Sequence, residues 1–411
     1  MNEPYKLPEG WRWVRLGEVF ELQQGAAMSP MRRAGISPKP FLRTLNVLWG
    51  KLDLSTLDYM DFTDEEVSKL TLKPGDLLIC EGGEVGRTAV WNGQLDVCLH
   101  QNHVHRLRKK DASILPEFYM YWMQAAFKVF GLYFGQSSET TIPNLSIGRL
   151  KSFFVPIAPL PVQRRIVAKI KEMMDEVEKA RTACEKQLEA VKALPSAYLR
   201  QVFESEEAKN WERKRLGEVC EYTSGIWGEE PNAETESYLV LRSNNIQDGK
   251  MVYNEIARRK VDRRYLNEKS LRPGDILVTS SSGSKDLLGK SAIFIPPDDR
   301  TYLFSNFTMR LRVIPEIVDY FYIYYYLQSP NAKKVLQLIQ DTTTGLRNLD
   351  RKEFFNQLIP LPPLPVQRRI VAELKEKMAD VEKLRLSIEK QLETINALPQ
   401  AILRKAFRGE L

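Results

Sequence analysis

The sequence predicts a mixed α/β protein that contains two copies of one fold, each followed by a long helix of the coiled-coil type. Three observations predict this: a helical segment occurs twice in nearly identical form, shorter motifs recur before each copy, and short apolar runs alternate with aromatic-rich helical stretches. With 411 residues, 43% of them hydrophobic, the chain is long enough for two or three hydrophobic cores.

The helical repeat is the clearest of these features. Residues 160–203 align with residues 364–407 without a gap, and 28 of the 44 aligned positions are identical. Amphipathic composition alone does not give two unrelated helices this degree of identity, so we attribute the repeat to duplication.

Apolar residues in each repeat are spaced three and four residues apart, an average near 3.5, which is the spacing of a coiled-coil seam. The seam positions of the first copy are Ile166, Ile170, Met173, Val177, Ala180, Cys184, Leu188, Val191 and Leu194. Those of the second copy are Ile370, Leu374, Lys377, Val381, Leu384, Ile388, Leu392, Ile395 and Leu398, with Lys377 the one polar residue. We expect the two helices to pair with each other. The alternative is that each packs as an amphipathic helix on its own domain.

Prolines mark the expected limits of both helices. Proline-rich leads at 155–161 and 359–365 predict the helix starts, because a proline in the first turn removes no hydrogen bond. Pro195 and Pro399 should end the regular helix. The intervening stretch, about thirty residues at about 1.5 Å per residue, gives roughly 45 to 50 Å of helix.

The segments before the two helical repeats share motifs at a similar offset. Each begins with the pattern W-x3-RLGEV, at Trp11 and Trp211, and each carries LKPGDLLI or LRPGDILV, from Leu72 and Leu271. Between these motifs the similarity disappears, which is typical of one fold that reads two different targets; drift after duplication is the alternative. The predicted organisation is a first domain at 1–155, a first helix at 156–205, a second domain at 206–358 and a second helix at 359–411.

The globular segments alternate between strand-like and helix-like patterns. Short apolar runs bounded by glycine and proline predict strands at 76–80, 89–91, 275–279 and 292–295. The aromatic-rich stretches 116–134 and 318–338 predict helices that close each core, in preference to a surface on which bases stack.

Composition restricts the class of protein. Cys80, Cys98, Cys184 and Cys220 form no close pair, so we expect neither disulfides nor a zinc ribbon, as in a protein of the reducing cytoplasm. No apolar run predicts a membrane span or a signal peptide. The net charge of +7, with a pI near 9.0, has the sign that a polyanionic partner requires.

Taken together, these motifs resemble those of the specificity subunits of type I restriction-modification systems. The resemblance rests on the W-x3-RLGEV openings, the PGDLL and PGDIL motifs, the PLPPLPVQRRIV entry into the helix and the ending LRKAFRGEL, and it covers nearly the whole chain. It implies two target-recognition domains separated by two helices that pair antiparallel, in a pseudo-twofold arrangement. It also implies a non-catalytic chain that reads a bipartite DNA target.

The same resemblance implies the partners. Double-stranded DNA, two modification subunits that methylate adenine N6, and restriction subunits that cleave DNA are expected. S-adenosylmethionine, ATP and Mg²⁺ are expected on those partner subunits and not on this chain.

The catalytic and cofactor motifs that an independent enzyme would need are missing from the sequence. Its double prolines, at 296–297 and 362–363, lack the Asn or Asp before them and the aromatic residue after them that adenine methyltransferases use. The segment 289–291, Gly-Lys-Ser, imitates the end of a phosphate loop, but its spacing is wrong and its counterpart at 86–88 is Gly-Arg-Thr. The spacing of the histidines at 100–105 favours surface hydrogen bonding over a metal site.

Polar residues in the loops are the candidate readers of bases, since Arg and Lys pair with guanine, and Asn and Gln pair with adenine. Capping of a turn is the alternative for each of them. The candidates in the first domain are Gln23, Gln24, Arg43, Asn46, Glu81, Arg87, Gln101, Asn102, Ser137, Thr140 and Thr141. Those in the second domain are Ser224, Arg242, Asn244, Asn245, Ser281, Ser282, Lys285, Asn306, Thr343 and Arg347.

Two basic clusters, at 106–110 and 258–264, suit contacts to phosphates, with a solvated face as the alternative. If each domain reads one half-site, the helices act as a ruler for the gap, and one turn of DNA is the natural spacing. A coiled-coil scaffold whose domains bind proteins is the rival interpretation.

Overall fold

The computed structural model of the chain describes residues 4–132, 145–232, 236–284, 287–343 and 346–411, with the backbone only at 340–343 and 346. The chain forms two compact units: Met1–Glu185 with Lys390–Leu411, and Lys186–Glu389. The limits between the units lie inside the two long helices, so each unit contains one globular domain and parts of both helices.

The first half is a mixed α/β domain followed by a long helix. Its elements are β1 (Arg12–Arg15), α1 (Leu16–Val19), β2 (Phe20–Gln24), α2 (Pro30–Arg33), β3 (Lys39–Leu42), β4 (Asp58–Met60), α3 (Asp64–Leu70), β5 (Leu77–Cys80), β6 (Thr88–Val90), β7 (Leu99–His100), β8 (Val104–Lys109), α4 (Pro116–Lys128), α5 (Ile147–Lys151), β9 (Phe154–Ile157) and α6 (Leu160–Phe203). The strand predictions at 76–80 and 89–91 are confirmed by β5 and β6, and the first aromatic-rich helix is α4.

The second half repeats this plan. Its elements are α7 (Glu206–Lys209), β10 (Glu212–Arg215), α8 (Leu216–Val219), β11 (Cys220–Ser224), β12 (Tyr238–Leu241), β13 (Ile246–Gln247), β14 (Lys250–Met251), β15 (Ala257–Arg259), α9 (Leu266–Lys269), β16 (Ile276–Thr279), β17 (Ser281–Ser282), β18 (Ser291–Ile293), β19 (Tyr302–Phe304), β20 (Thr308–Val313), α10 (Tyr320–Gln328), α11 (Pro330–Leu338), β21 (Gln340–Thr343), β22 (Leu346–Leu349), α12 (Arg351–Asn356), β23 (Leu358–Leu361) and α13 (Leu364–Arg408). The strand predictions at 275–279 and 292–295 are confirmed by β16 and β18.

One helix prediction in the second half is wrong in detail. The stretch 318–338 forms two helices, α10 and α11, because Pro330 has no amide hydrogen to continue the first of them. Ser329 lies at the junction, where its side chain accepts a hydrogen bond from the Ala332 amide and caps α11.

The two halves share one sheet topology. A four-stranded antiparallel sheet has the order β2-β8-β5-β6 in the first half and β11-β20-β16-β18 in the second. A three-stranded sheet, with one parallel pair, has the order β4-β3-β7 in the first half and β15-β12-β19 in the second. The scattered motifs of the sequence therefore mark one fold that occurs twice.

A buried ion pair explains the recurring PGD motif. In the first sheet, Arg108 donates two hydrogen bonds to the Asp76 carboxylate, at 2.8 and 2.7 Å, and the Lys73 amide donates a third at 2.7 Å. Arg312 and Asp275 form the same bidentate pair in the second sheet, at 2.8 and 2.7 Å. Such a carboxylate is satisfied on both oxygens, which a buried charge requires.

The VQRR motif anchors the start of each long helix to its own domain. The Gln163 side chain accepts from the Leu115 amide at 2.9 Å and donates to the carbonyls of Ser113 and Ala158, at 3.0 and 2.7 Å. Gln367 repeats the pattern in the second half, and both glutamines are fully buried. The direction in which each helix leaves its domain is therefore fixed by hydrogen bonds as well as by apolar contact.

The prediction that the long helices end at Pro195 and Pro399 is wrong. Both Pro195 and Pro399 lie inside continuous helices, of 44 and 45 residues. The turns beyond them end in buried residues, including Phe203 in the core of the second unit and Phe407 in the core of the first. Burial of these turns offsets the hydrogen bond that each proline removes.

Each unit contains the beginning of one long helix and the end of the other. In the first unit, Ile166 and Ile170 belong to the same core as Phe407. In the second unit, Ile370 and Leu374 belong to the same core as Phe203. The helices therefore run antiparallel.

Most of the predicted seam residues are buried or half-buried. Ile166, Ile170, Ile370, Leu374, Val381 and Ile388 are buried, and Val177, Leu188 and Leu392 are half-buried. Three predicted seam positions are wrong, since Ala180, Leu384 and Leu398 are exposed. The polar position Lys377 is accommodated by the Tyr198 ring, whose centroid lies 5.1 Å from the ammonium nitrogen.

Candidate DNA interface

Backbone hydrogen bonds bring separate loops of the first domain together. The Ala26 amide donates to the His100 carbonyl at 3.1 Å, and the Asn102 amide donates to the Ala26 carbonyl at 2.9 Å. The Gln101 amide donates to the Leu42 carbonyl at 2.9 Å, which places the turn before β8 beside the end of β3. We call this region, residues 24–27, 43–44, 81–87 and 101–103, the first loop edge.

The loop between β5 and β6 joins the first loop edge through two further bonds. The Glu81 amide donates to the His103 carbonyl at 2.9 Å, and the Arg87 guanidinium donates to the Thr44 carbonyl at 2.7 Å. The candidates Gln24, Arg43, Glu81, Arg87, Gln101 and Asn102, dispersed over the sequence, are thus brought together.

The second domain builds an equivalent region. The Asn306 amide donates to the Ile226 carbonyl, and the Ser305 amide donates to the Leu241 carbonyl, both at 2.9 Å. Ser281 and Ser282 pair in register with Asn348 and Arg347 of β22. We call residues 224–227, 242–244, 280–282, 305–307 and 347–348 the second loop edge. It brings together the candidates Ser224, Arg242, Asn244, Ser281, Ser282, Asn306 and Arg347.

A glycine makes the close approach possible at each loop edge. A Cβ atom on Gly25 would lie 2.1 Å from the His100 carbonyl oxygen, and one on Gly225 would lie 2.0 Å from the Ser305 carbonyl oxygen. Because no side chain fits there, a glycine follows β2 in the first half and β11 in the second. The loop after each strand is thereby held against the turn that precedes β8 or β20.

Several candidates present polar groups toward solvent. Gln24 and Asn244 are exposed, and Gln23, Asn102, Ser224, Ser282, Asn306 and Arg347 are half-buried. The Gln24 side chain donates to the Asn102 carbonyl at 3.2 Å, a long bond at an exposed position. Arg43 is half-buried and forms an ion pair with Asp58 at 2.5 Å. The exposed groups retain the donors and acceptors that contact with a base would need.

The structure does not support Asn46 and Asn245 as readers of bases. The Asn46 side chain accepts from the Arg43 amide at 2.8 Å and donates to the carbonyls of Asp53 and Thr56, at 2.9 and 2.7 Å. Asn245 forms the same set of three bonds in the second half. Both residues are 1% exposed, so they hold a turn together, which is the alternative that residue chemistry left open.

Two further candidates in the first domain are also unsuited to direct base contact, and a third is partly committed to a bond within the protein. Glu81 and Gln101 are buried, and Arg87 is half-buried against the Thr44 carbonyl. The Glu81 carboxylate lies 3.3 Å from Nδ1 of His103. These residues support the loops of the first loop edge from the inside of the domain.

The expected surface location of the histidines holds only for His103, which is exposed. His100 and His105 are fully buried, and their rings contact the carbonyls of Val104 and Leu145, at 2.8 and 3.1 Å. Burial lowers the pKa of His100 to about 4, and burial also lowers the pKa of His105. The two rings are therefore neutral near pH 7.

The prediction that the first basic cluster, 106–110, suits contacts to phosphates is also wrong in part. Arg106 is buried, and its guanidinium donates to the Lys69 carbonyl at 2.8 Å, while Arg108 holds Asp76. In that cluster only Lys109 and Lys110 are exposed. The second cluster, 258–264, is largely exposed and forms ion pairs with neighbouring carboxylates, such as Arg263 with Glu236 at 2.8 Å. Its role in binding phosphates stays a prediction.

Five candidates have no described side chain. Ser137, Thr140, Thr141 and Lys285 lie outside the described residues, and Thr343 is described only as part of the β21 backbone.

The sequence reading missed one prominent residue of the second loop edge, Trp227. Its residue surface is 79% exposed, and its ring centroid lies 6.0 Å from that of Phe307. A signal was available, because Trp227 occupies the position in the Gly225 loop that Ala27 occupies in the Gly25 loop.

The fold and the two loop edges define a protein with two separate polar surfaces, carried by one repeated α/β fold. Residues 8–189 and 208–394 match the family described as type I restriction modification DNA specificity domain. The chain belongs to this family and is a specificity subunit of the type I restriction-modification kind.

Known relatives agree with this assignment over the whole chain. The EcoKI specificity subunit of Escherichia coli (strain K12) is 23% identical over 99% of this chain and 90% of its own length. The StySPI specificity subunit of Salmonella potsdam has the same identity and the same shares. The structure of the HsdS subunit from Thermoanaerobacter tengcongensis has a TM-score of 0.64 and 25% identity, over 99% of each chain.

A second solved structure, from work on complex assembly and conformational transition of the type I R-M system, has a TM-score of 0.74. It is 25% identical and covers 99% of this chain and 100% of its own. Within the described part of the chain, no helix combines the length and apolar character of a membrane span.

Proposed function

We propose that this chain selects the DNA target of a type I restriction-modification complex by reading a gapped sequence, one half-site with each loop edge. The observation that carries the proposal is the repeated fold. Both halves keep the same sheets, the same buried ion pair and the same glycine contact, yet they present different side chains at the loop edges. A shared scaffold with divergent surface loops suits two different base sequences.

The exposed surface of the long helices supports docking of one kind of partner to both of them. Burial constrains only the inward positions, but identity between the copies extends to the solvent-facing side. Exposed and identical pairs include Arg164 and Arg368, Arg165 and Arg369, Glu172 and Glu376, Lys186 and Lys390, Gln187 and Gln391, Glu189 and Glu393, and Arg200 and Arg404. Two copies of a modification subunit would each meet the same charged surface. Restriction subunits would join the complex through further contacts.

Catalysis and cofactors belong to those partners in this proposal. The modification subunits would bind S-adenosylmethionine and methylate adenine, and the restriction subunits would use ATP and Mg²⁺. This chain would choose where they act, in the cytoplasm where the DNA lies.

The long helices would also set the length of the gap. Helices of 44 and 45 residues are roughly 66 Å long at about 1.5 Å per residue, which exceeds the length expected from helices that end at proline. Because each helix is anchored to a domain by a buried glutamine, a change of helix length should move a half-site along the DNA.

The test is to map N6-methyladenine genome-wide in cells that express this chain with its modification subunits. A gapped motif is expected, and exchange of residues 206–358 for those of a relative should change one half of it. A change in both halves would contradict independent reading by the two domains. If the purified chain, with or without its partners, enriched no motif from random DNA and bound it weakly at any salt concentration, the scaffold interpretation would be favoured.

A further inference from the structure

Trp227 lies on the second loop edge with most of its indole in solvent. It is 79% exposed, more than any other described aromatic residue among the exposed large hydrophobic side chains. Tryptophan is rarely left this open, because burial of its large apolar surface is favourable. An exposed indole on a candidate binding surface therefore suggests a contact made with a ligand.

The segment that carries Trp227 is held at both ends. On one side, Ile226 is buried, its amide donates to the Phe304 carbonyl at 2.9 Å, and its carbonyl accepts from the Asn306 amide. On the other side, the Lys260 amide donates to the Glu229 carbonyl at 3.0 Å. The backbone thus presents the indole from an anchored loop, which lowers the entropy lost on binding.

Close contacts on either side of Trp227 further restrict the position of this backbone segment. A Cβ atom on Gly225 would collide with the Ser305 carbonyl, and one on Gly228 would lie 2.5 Å from Cβ of Arg259. The Phe307 ring supports the indole from the side, at 63° between the ring planes. The loop can be built in this position only with glycine at both sites.

The loop of the first loop edge shares the anchor next to its glycine and lacks the aromatic pair. There Ala26 takes the two bonds that Ile226 takes in the second domain, and Ala27 and His103 stand where Trp227 and Phe307 stand. The indole is therefore one of the side chains by which two loops with a matching backbone anchor differ. A difference of this kind should appear as a difference between the two half-sites.

We propose that Trp227 is a specificity-determining residue that makes apolar contact with a base of the half-site read by the second domain. This inference rests on the proposed function. The contact available to an indole on duplex DNA is with the 5-methyl group of thymine in the major groove, or with the face of a base at an opened step. Both are apolar surfaces of a base, and neither requires hydrogen bonds.

The experiment compares the wild-type chain with Trp227→Ala and Trp227→Phe, each assembled with the modification subunits. Motif selection from a random DNA library is measured first, followed by affinity for the selected site. Ile295→Ala is the matched control, because Ile295 is an apolar residue of the same unit, is 61% exposed and lies outside the second loop edge. Circular dichroism checks that each variant is folded.

The expected result is that Trp227→Ala loses preference at one or two base pairs of the second half only, with binding weaker by roughly ten- to a hundredfold. Trp227→Phe should retain part of the preference, and Ile295→Ala all of it. Replacement of thymine by uracil at the affected position should weaken wild-type binding if the contact is with the methyl group. A rise in 2-aminopurine fluorescence there, seen with the wild type alone, would indicate contact with an opened step.

An unchanged motif and affinity in Trp227→Ala would overturn the inference, as would an equal loss with Ile295→Ala or a change in the first half of the motif. In each of these cases the wild type still reads a gapped site, so the proposed function stands. A wild-type complex that selects no gapped motif would contradict the proposed function, and this inference with it.

Discussion

The buried pair of Asp275 and Arg312 offers a sharp test of the repeated scaffold. Asp275→Ala removes the acceptor of two guanidinium bonds, at 2.8 and 2.7 Å, and of the Arg272 amide bond at 2.7 Å. The carboxylate side chain is 2% exposed and that of Arg312 is 22% exposed, so the arginine is left mostly buried without its counter-charge. Removal of one partner from such a pair costs about 3 to 5 kcal/mol of unfolding free energy.

The change should be confined to the second unit. With a denaturant slope of about 2 to 3 kcal/mol per molar urea, the midpoint of that unit should fall by about 1 to 2.5 M. Hydrogen exchange in urea, followed by mass spectrometry of peptides, reads each unit separately. Peptides of β16 and β20 should lose protection, and those of β5 and β8 in the first unit should keep it.

The control is Asp298→Ala in the same unit, which removes an exposed carboxylate that pairs with Arg300 at 2.7 Å and accepts from the Tyr302 hydroxyl at 3.1 Å. Solvent screens an exposed pair, so the midpoint should move far less than with Asp275→Ala. If Asp275→Ala shifted the midpoint no further than Asp298→Ala, the carboxylate would not be holding the sheet. An equal loss of protection in both units would refute the view that each domain carries its own scaffold.

Three further outcomes are expected. Insertion of one heptad into both long helices should lengthen the gap of the methylated motif without changing either half, as methylation mapping would show. Arg165→Ala combined with Arg369→Ala should weaken binding of the modification subunits by about tenfold or more, measured by calorimetry, while DNA binding of the chain alone is retained. The first unit should lose stability as the pH falls from about 6.5 toward 4, because the pKa of buried His100 is lowered to about 4 and that of His105 is also lowered, whereas their unfolded values are near 6.5. Hydrogen exchange at pH 7 and pH 5 would detect this.

Each of these expectations has a clear contrary result. An unchanged gap after the insertion would exclude the helices as a ruler. Equal weakening by Lys192→Ala, an exposed position at which the copies differ, would mean that the identical residues form no shared docking surface. The second unit contains no histidine, so an equal loss of protection there at pH 5 would exclude histidine protonation as the cause.

The features that could be predicted from the sequence are those determined by residues close together in the chain. The helical repeat, its seam and the PGD turns are recorded in neighbouring residues, so spacing alone predicts them. Helix continuation through Pro195 and Pro399 was not predictable in this way. It depends on buried contacts of Phe203 and Phe407 with residues far away in the chain.

The same limit applied to the candidate site. Residue chemistry selected Asn46 and Gln24 on equal grounds, but only the structure shows that the Asn46 amide is saturated by two carbonyls and a backbone amide, while Gln24 is exposed. Residue type shows that a group can donate or accept. Which partner it meets is decided by strand register and loop closure.

By itself, the sequence determined that one fold occurs twice, that two helices of matching surface follow the two domains, and to which family the chain belongs. Only the tertiary structure decided which polar side chains form hydrogen bonds inside the loops and which side chains, including that of Trp227, face solvent. The physical reason is that periodicity acts between near neighbours, whereas burial and hydrogen-bond satisfaction are settled by residues that meet only when the chain is folded.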